Sequence, residues 1–249
     1  MFSFFKKKIK EETNLSGLQC DMHSHLLPGI DDGAATLDNS MGLIKGLSEL
    51  GYSKLITTPH VYWDIYKNTP DTVKAPFTLV EEAIKQEKIP VTIHVGAEYY
   101  LDDHVDDLLQ NKEPLLTLHK NYMLFEFSFV NKPMSWQDKI FNLQMSDYQP
   151  VLAHPERYSY FRSNMKIFEE IRSTGCLLQV NLLSLTGYYG KTAQEIATYL
   201  VDHNMVSFLG TDMHHDRHLE TLRGGGPVIM PVVKKLLDAG ALLNPEFTG

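Results

Sequence analysis

Two cysteines, Cys20 and Cys176, are all the thiols in 249 residues. That is too few for a disulfide framework and fits a reducing, cytoplasmic setting. No apolar run approaches the roughly 18–20 residues that cross a bilayer. No GxGxxG follows the first predicted strand and no GxxxxGK[ST] occurs anywhere, so dinucleotide and P-loop chemistry lack their phosphate cradles. Basic residues are short as well: 23 Lys and Arg against 31 Asp and Glu leave a net charge of −8. A phosphate backbone is held by clustered cations, so nucleic acid is excluded as a partner. Low-complexity segments and linkers are also missing. What is present, 43% hydrophobic and 22% charged residues, is the composition of one folded domain.

The amino terminus reads MFSFFKKKIKEE, with aromatics before lysines, the reverse of a secretory signal. Residues 1–17 are expected to form a flexible leader and 18–249 the domain. A second reading of the leader is peripheral membrane contact, with Phe2, Phe4 and Phe5 in the headgroups and Lys6, Lys7, Lys8 and Lys10 on anionic lipid.

Seven short apolar segments alternate with helical patterns: GLQCDMH, SKLITTPH, VTIHVGAEYY, YMLFEFS, QPVLAHPE, CLLQVN and VSFLGTDMH. Strand–helix alternation predicts a parallel sheet with helical crossovers. Strands this uniformly apolar are covered on both faces, as in a closed barrel or a doubly wound sheet. The helices are predicted near 36–51, 77–88, 135–146, 165–175, 192–204 and 227–240, and LDDHVDDLL at 101–109 is read as an acidic turn.

Nearly every predicted strand ends in a group that buried strands avoid. The first delivers His23 and His25, which share a face in extended chain, with Asp31 and Asp32 in the loop behind. The others end at His60, Glu98, Glu126, His154, Asn181, and Asp212 with His214. Glu126 stands between Phe125 and Phe127, where an ionised carboxylate costs several kcal/mol unless paired or bound to metal. In an α/β barrel the carboxyl ends of the strands form one active face. Imidazole and carboxylate without cysteine suit Mn, Fe or Zn. The nine candidates His23, His25, Asp32, His60, Glu98, Glu126, His154, Asp212 and His214 exceed one ion and suit two or three, an arrangement for hydrolysis at an oxyanion such as phosphoryl.

The D-x-H-x-H start at Asp21, PGIDDG, TTPH, GAEYY, FEF, AHPERY and GTDMHH resemble the polymerase-and-histidinol-phosphatase (PHP) superfamily. More narrowly, they resemble its bacterial protein-tyrosine phosphatases of capsule and exopolysaccharide loci, from about residue 18 to about 240. The resemblance implies a distorted seven-stranded, TIM-like (β/α) barrel with a manganese site, hydrolysing phosphotyrosine by metal-activated hydroxide. It implies that His23, His25, Glu98 and Asp212 hold one metal. Glu98, with Glu126 and His154, would hold a second, and Asp32, His60 and His214 a third. Arg157 would contact phosphate, with Arg217 or Arg223 as a second arginine. Cys20 leads into DMHSHL and Cys176 into LLQVNL, neither with an arginine, so a thiol mechanism is excluded. Loop aromatics (Tyr62, Trp63, Tyr66, Tyr99, Tyr100, Tyr158, Tyr160, Phe161, Tyr188, Tyr189) are candidates for a ring-gripping rim. By analogy the substrate is a membrane-anchored bacterial tyrosine kinase. A small-molecule phosphatase, such as one acting on histidinol phosphate, and a non-catalytic metal-binding regulator are the alternatives.

Overall fold

The computed structural model describes residues 12–248. The first half contains β1 (Cys20–Asp21), α1 (Leu37–Glu49), β2 (Lys54–Thr57), β3 (His60–Tyr62), β4 (Tyr66–Lys67), α2 (Pro70–Glu87), β5 (Thr92–Val95), β6 (Glu98–Tyr100), α3 (Asp103–Gln110) and β7 (Tyr122–Glu126). It continues with α4 (Trp136–Met145), β8 (Gln149–Ala153), α5 (Ile167–Ser173), β9 (Leu177–Asn181), α6 (Leu182–Leu185), α7 (Lys191–Asp202), β10 (Phe208–Gly210), α8 (Asp216–Gly224) and α9 (Gly226–Asp238). Local chemistry sets several boundaries. The Thr36 hydroxyl caps α1 by accepting from Asn39 N, and Thr69 and Thr72 form a reciprocal capping box at α2, each satisfying amide groups the first turn leaves free.

Among the described residues the strands form two open sheets, one of order β1-β2-β5 and one of order β10-β9-β8-β7-β6-β3-β4. All pairs are parallel except the β3–β4 hairpin. The α/β class and the parallel sheet are as expected, but in place of the distorted seven-stranded barrel the described residues form a mixed α/β fold with no closed sheet. The predicted second strand breaks at Thr58–Pro59 into β2 and β3, because proline cannot donate to a ladder. The predicted third breaks at Gly96–Ala97 into β5 and β6. A Cβ at Gly96 would meet the Thr117 carbonyl at 3.2 Å, so backbone approaches there more closely than a side chain allows.

Where β1 meets β10, no ladder forms. A single bridge at Ser24–Met213 and the bonds Asp212 N→His23 O and His25 N→Met213 O, both 2.8 Å, span the gap. Side chains supply the rest. Buried Asp21 accepts from the Thr211 amide and hydroxyl, at 3.0 and 2.6 Å. Buried Asn244 accepts from Leu209 N and donates to the Cys20 and Leu209 carbonyls.

Strand alternation sorts the core. Leu124, Val151, Ala153 and Phe208 enter a small cluster between the sheets, whereas Met123, Phe125, Leu152 and Leu209 do not and belong to the larger core beneath the helices. The inner face is thus apolar along the strands and turns polar only at their carboxyl ends.

Other expectations need revision. The acidic turn at 101–109 is the helix α3, capped by the Asp102 carboxylate. Its apolar residues Val105, Leu108 and Leu109 fall on one helical face against the core, and its first-turn acids suit the helix dipole. α2 starts at Pro70 rather than 77, and α8 was not foreseen. Thr13 and Leu15, counted with the leader, pack on the domain: Leu15 is fully buried and the Thr13 hydroxyl donates to the Leu222 carbonyl at 2.8 Å. The leader's proposed membrane contact falls on residues outside those described.

Asn244→Ala would strand several buried backbone groups at the β1–β10 seam. It is expected to lower unfolding free energy by about 3 kcal/mol, read as a lower urea midpoint at unchanged slope.

Candidate metal centre

His23 and His25 extend inward from the end of β1, and both are completely buried. Their Nε2 atoms lie 3.3 Å apart. Each is also 3.2–3.3 Å from Glu98 Oε2 and 3.5 Å from Asp212 Oδ1. Two nitrogens and two carboxylate oxygens thus face one point. The opposite ring atoms are occupied: His23 Nδ1 meets Gln179 Oε1 at 2.8 Å and His25 Nδ1 meets Asp31 Oδ2 at 2.9 Å. Both partners accept, so each imidazole donates through Nδ1 and turns the Nε2 lone pair to the shared point, the orienting arrangement of metal-bound histidines.

Glu98 extends the cluster. Its Oε1 is 2.9 Å from His154 Nε2, and its Oε2 is 3.3 Å from His60 Nδ1. Glu126 sits 3.7 Å from His60 Nδ1 and 3.9 Å from His154 Nε2. On the outer side, Asp32 Oδ1 lies 3.2 Å from His60 Nε2 and 3.5 Å from His214 Nε2. His214 Nδ1 donates to the Asp212 carbonyl, which leaves its Nε2 free. All nine predicted ligands therefore converge. Four subsets could each hold an ion: His23–His25–Glu98, His23–His154–Asp212, His60–Glu98–Glu126 and His25–Asp32–His60–His214.

The electrostatics demand cations. Five carboxylates (Asp31, Asp32, Glu98, Glu126, Asp212) share the cluster with one permanently charged side chain among the described residues, Arg157, whose Nη1 donates to Asp212 Oδ2 at 2.9 Å. Burial opposes ionisation of Glu98, but His23 and His154 outweigh it and hold its carboxyl well below the usual range. Burial and the Glu98 charge push neighbouring Glu126 well above it. Burial pushes His154 down to about 4. Glu126 Oε2 and His154 Nδ1 are buried without a hydrogen-bonding partner. Excess buried negative charge and an all-nitrogen-and-oxygen donor set fit hard or borderline divalent ions.

The backbone is strained at two of these positions. His154 (φ 32°) and Asp212 (φ 50°) adopt left-handed conformations without being glycine, a cost of order 1–3 kcal/mol each that surrounding structure must hold in place. Gln179 helps do so. Its Nε2 donates to Asn181 Oδ1, and Asn181 Nδ2 donates to Asp212 Oδ2, so the inner face of β9 ties His23 to Asp212.

Arg157 lines the resulting cavity of about 260 Å³. The two other predicted arginines do not. Arg223 pairs with Glu49 at the end of α1, and Arg217 lies over the Tyr188 ring. Most of the predicted rim aromatics are structural. Tyr158 and Phe161 are buried, Tyr62 stacks on Tyr100 and Trp63 on His104, and the buried Tyr99 hydroxyl accepts from Leu116 N. Tyr189 borders the cavity, and Tyr66 stacks on His60. Sequence reasoning missed Gln179, Phe129, His215 and His218 near the cavity. Only Gln179 left a trace, sharing the inward face of its strand with Asn181 at a spacing of two.

Residues 19–221 match the family described as capsular polysaccharide synthesis, CpsB/CapC. The chain is 30% identical over 195 residues to the tyrosine-protein phosphatase YwqE of Bacillus subtilis, spanning 78% of this chain and 77% of that protein. It is 30% identical over 204 residues to the tyrosine-protein phosphatase CpsB of Streptococcus agalactiae, spanning 78% and 82%. Crystal structures of YwqE and of CpsB from Streptococcus pneumoniae, described as unique metal-dependent tyrosine phosphatases, include a chain that superposes with a TM-score of 0.78 at 29% identity, covering 87% of this chain and 86% of that one. This chain belongs to the CpsB/CapC family of capsular polysaccharide synthesis proteins.

Proposed function

We propose that the protein is a metal-dependent phosphatase that hydrolyses phosphotyrosine in proteins. The observation that carries this reading is the convergence of nine imidazole and carboxylate ligands on one mouth, with Arg157 as the permanent cation beside them. Two or three divalent ions, manganese in the first instance, would be held by His23, His25, Glu98 and Asp212, by Glu98, Glu126 and His154, and by Asp32, His60 and His214. Bound there, they supply a water of lowered pKa and neutralise phosphoryl charge.

The protein's own groups do the rest. Arg157 is held by Asp212 through one nitrogen, which leaves other donors of its planar fork for phosphoryl oxygens. Gln179 and Asp31 keep His23 and His25 in the tautomer that presents Nε2. The leaving phenol of tyrosine has a pKa near ~10, so it departs with less help from an acid than an alkoxide needs. Neither thiol takes part: Cys20 and Cys176 are buried, and burial pushes both well above the ordinary thiol range. Arg217 is the better second arginine, since Arg223 is engaged by Glu49 on the surface.

The family's role in polysaccharide synthesis supports a tyrosine kinase of that process, anchored in the membrane, as the protein substrate. No helix among the described residues is long and apolar enough to cross a membrane, and we place the enzyme in the cytoplasm. The relatives' phosphatase names favour this reading over a histidinol-phosphate phosphatase or a non-catalytic regulator.

Chelation is expected to abolish turnover of a phosphotyrosine peptide and manganese to restore it, while His154→Ala stays inactive with manganese. A chelator-resistant wild type would sink the metal mechanism. Gln179→Leu keeps volume but removes the acceptor for His23. It should weaken metal affinity by roughly 10–100-fold, seen as a right-shifted manganese titration with turnover recovered at saturation. Arg157→Lys loses the fork, and kcat/KM should fall by on the order of 100-fold while metal content holds.

A further inference from the structure

We propose that Phe129 makes this site selective for aryl phosphates, by offering the uncovered part of its ring beside the arginine that binds the phosphoryl group. The inference rests on the phosphatase reading above and names how that site chooses its substrate.

The cavity is small, about 260 Å³, below the roughly 300–1,000 Å³ of sites for drug-sized ligands. It has room for a phosphoryl group and little beyond one ring. Its walls are carboxylates, imidazoles and one guanidinium, apart from the benzene rings of Phe129 and Tyr189. Of the lining side chains, these two carry the uncharged benzene rings that best reward a flat apolar group.

They also sit where the ring of a substrate must pass. The Arg157 guanidinium carbon lies 4.6 Å from the Phe129 ring centroid and 4.5 Å from that of Tyr189. A phosphoryl group bound by Arg157 is therefore held next to both rings. Its ester oxygen then carries the leaving group along one of them.

Phe129 is preorganised for this role. Its ring stacks on His154 at 5.5 Å and 26° and approaches Tyr158 at 5.6 Å. The preceding residue is fixed on both sides: the Tyr160 hydroxyl donates to the Ser128 carbonyl at 2.9 Å, and Val130 N donates to Ser128 Oγ. Yet Phe129 remains 44% exposed, while the aromatic residues behind it, Phe127 and Tyr158, are 1% and 0% exposed. A rigid phenylalanine with an uncovered surface at the mouth of a charged cavity is a platform for a second ring, in the offset or edge-on arrangements aromatic pairs favour. A serine or threonine phosphate would gain the same phosphoryl contacts and none of this one.

The competing role for Phe129 is to prop Arg157, which would serve every phosphomonoester equally. Titration calorimetry on the manganese-loaded protein with phenylphosphonate and methylphosphonate separates the two, since neither is hydrolysed and both carry the phosphoryl oxygens. The wild type should bind phenylphosphonate about tenfold more tightly, the size of one good aromatic contact. Phe129→Ala and Phe129→Leu should lose that preference while keeping methylphosphonate affinity within about threefold of wild type, and Phe129→Tyr should retain it. Equal binding of the two ligands by the wild type, binding of neither, or parallel losses for both in the variants would overturn the inference. Wild-type turnover of a phosphotyrosine peptide is measured alongside. If it is absent, the phosphatase reading fails, whatever the phosphonates do.

Discussion

Negative charge gathered without enough protein cations to balance it is the constraint on which this structure turns. Five carboxylates share the cluster with Arg157, and three of them (Glu98, Glu126 and Asp212) are at most 5% exposed. Proteins tolerate such a cluster only where protons or metal ions make up the difference. The split between Glu98, held ionised by imidazoles, and Glu126, pushed toward its neutral form, is how the site distributes that strain with protons alone. Divalent ions remove the need for the split, which is why the ligand chemistry and the charge imbalance point the same way.

The fold serves this cluster by stopping short of regularity. A ladder continuing between β1 and β10 would give extended backbone at Asp212, where the chain instead turns left-handed to aim its carboxylate at the histidines. Side chains take over the lost backbone pairing: Asp21 on Thr211 and Asn244 on Cys20 and Leu209. The breaks at Pro59 and Gly96 likewise fall just before His60 and Glu98. Each irregularity lies within two residues of a ligand, so the departures from a closed barrel concentrate where the chemistry requires special backbone geometry.

Around the ligands lies a shell with a division of labour. Asp31 and Gln179 orient imidazoles, Asn181 and Arg157 hold Asp212, and Phe129 and Tyr189 flank the arginine. The buried carboxylate of Glu156 fastens the base of this shell by accepting from Asn181 N and Ser184 Oγ. Burial pushes it up to about 7. Gln179 and Asn181 stand on β9, while Asp31, Phe129 and Tyr189 come from the loops that follow β1, β7 and α6.

Sequence alone determined the alternation of strands and helices and the residue types at the strand ends, because periodicity and the cost of burying charge are both local properties. It therefore located all nine candidate ligands, and Arg157 by its motif. It did not determine where sheets open, since a ladder depends on which backbones approach, and Pro59 and Gly96 act only against a neighbouring strand. Nor could it select among arginines and aromatics. Arg223 and Arg217 differ only in what α8 packs against, and Phe129, absent from the predicted rim, enters the site because its loop folds back over His154. Those choices belong to tertiary structure: they are set by contacts between segments far apart in the chain, which no spacing along it records.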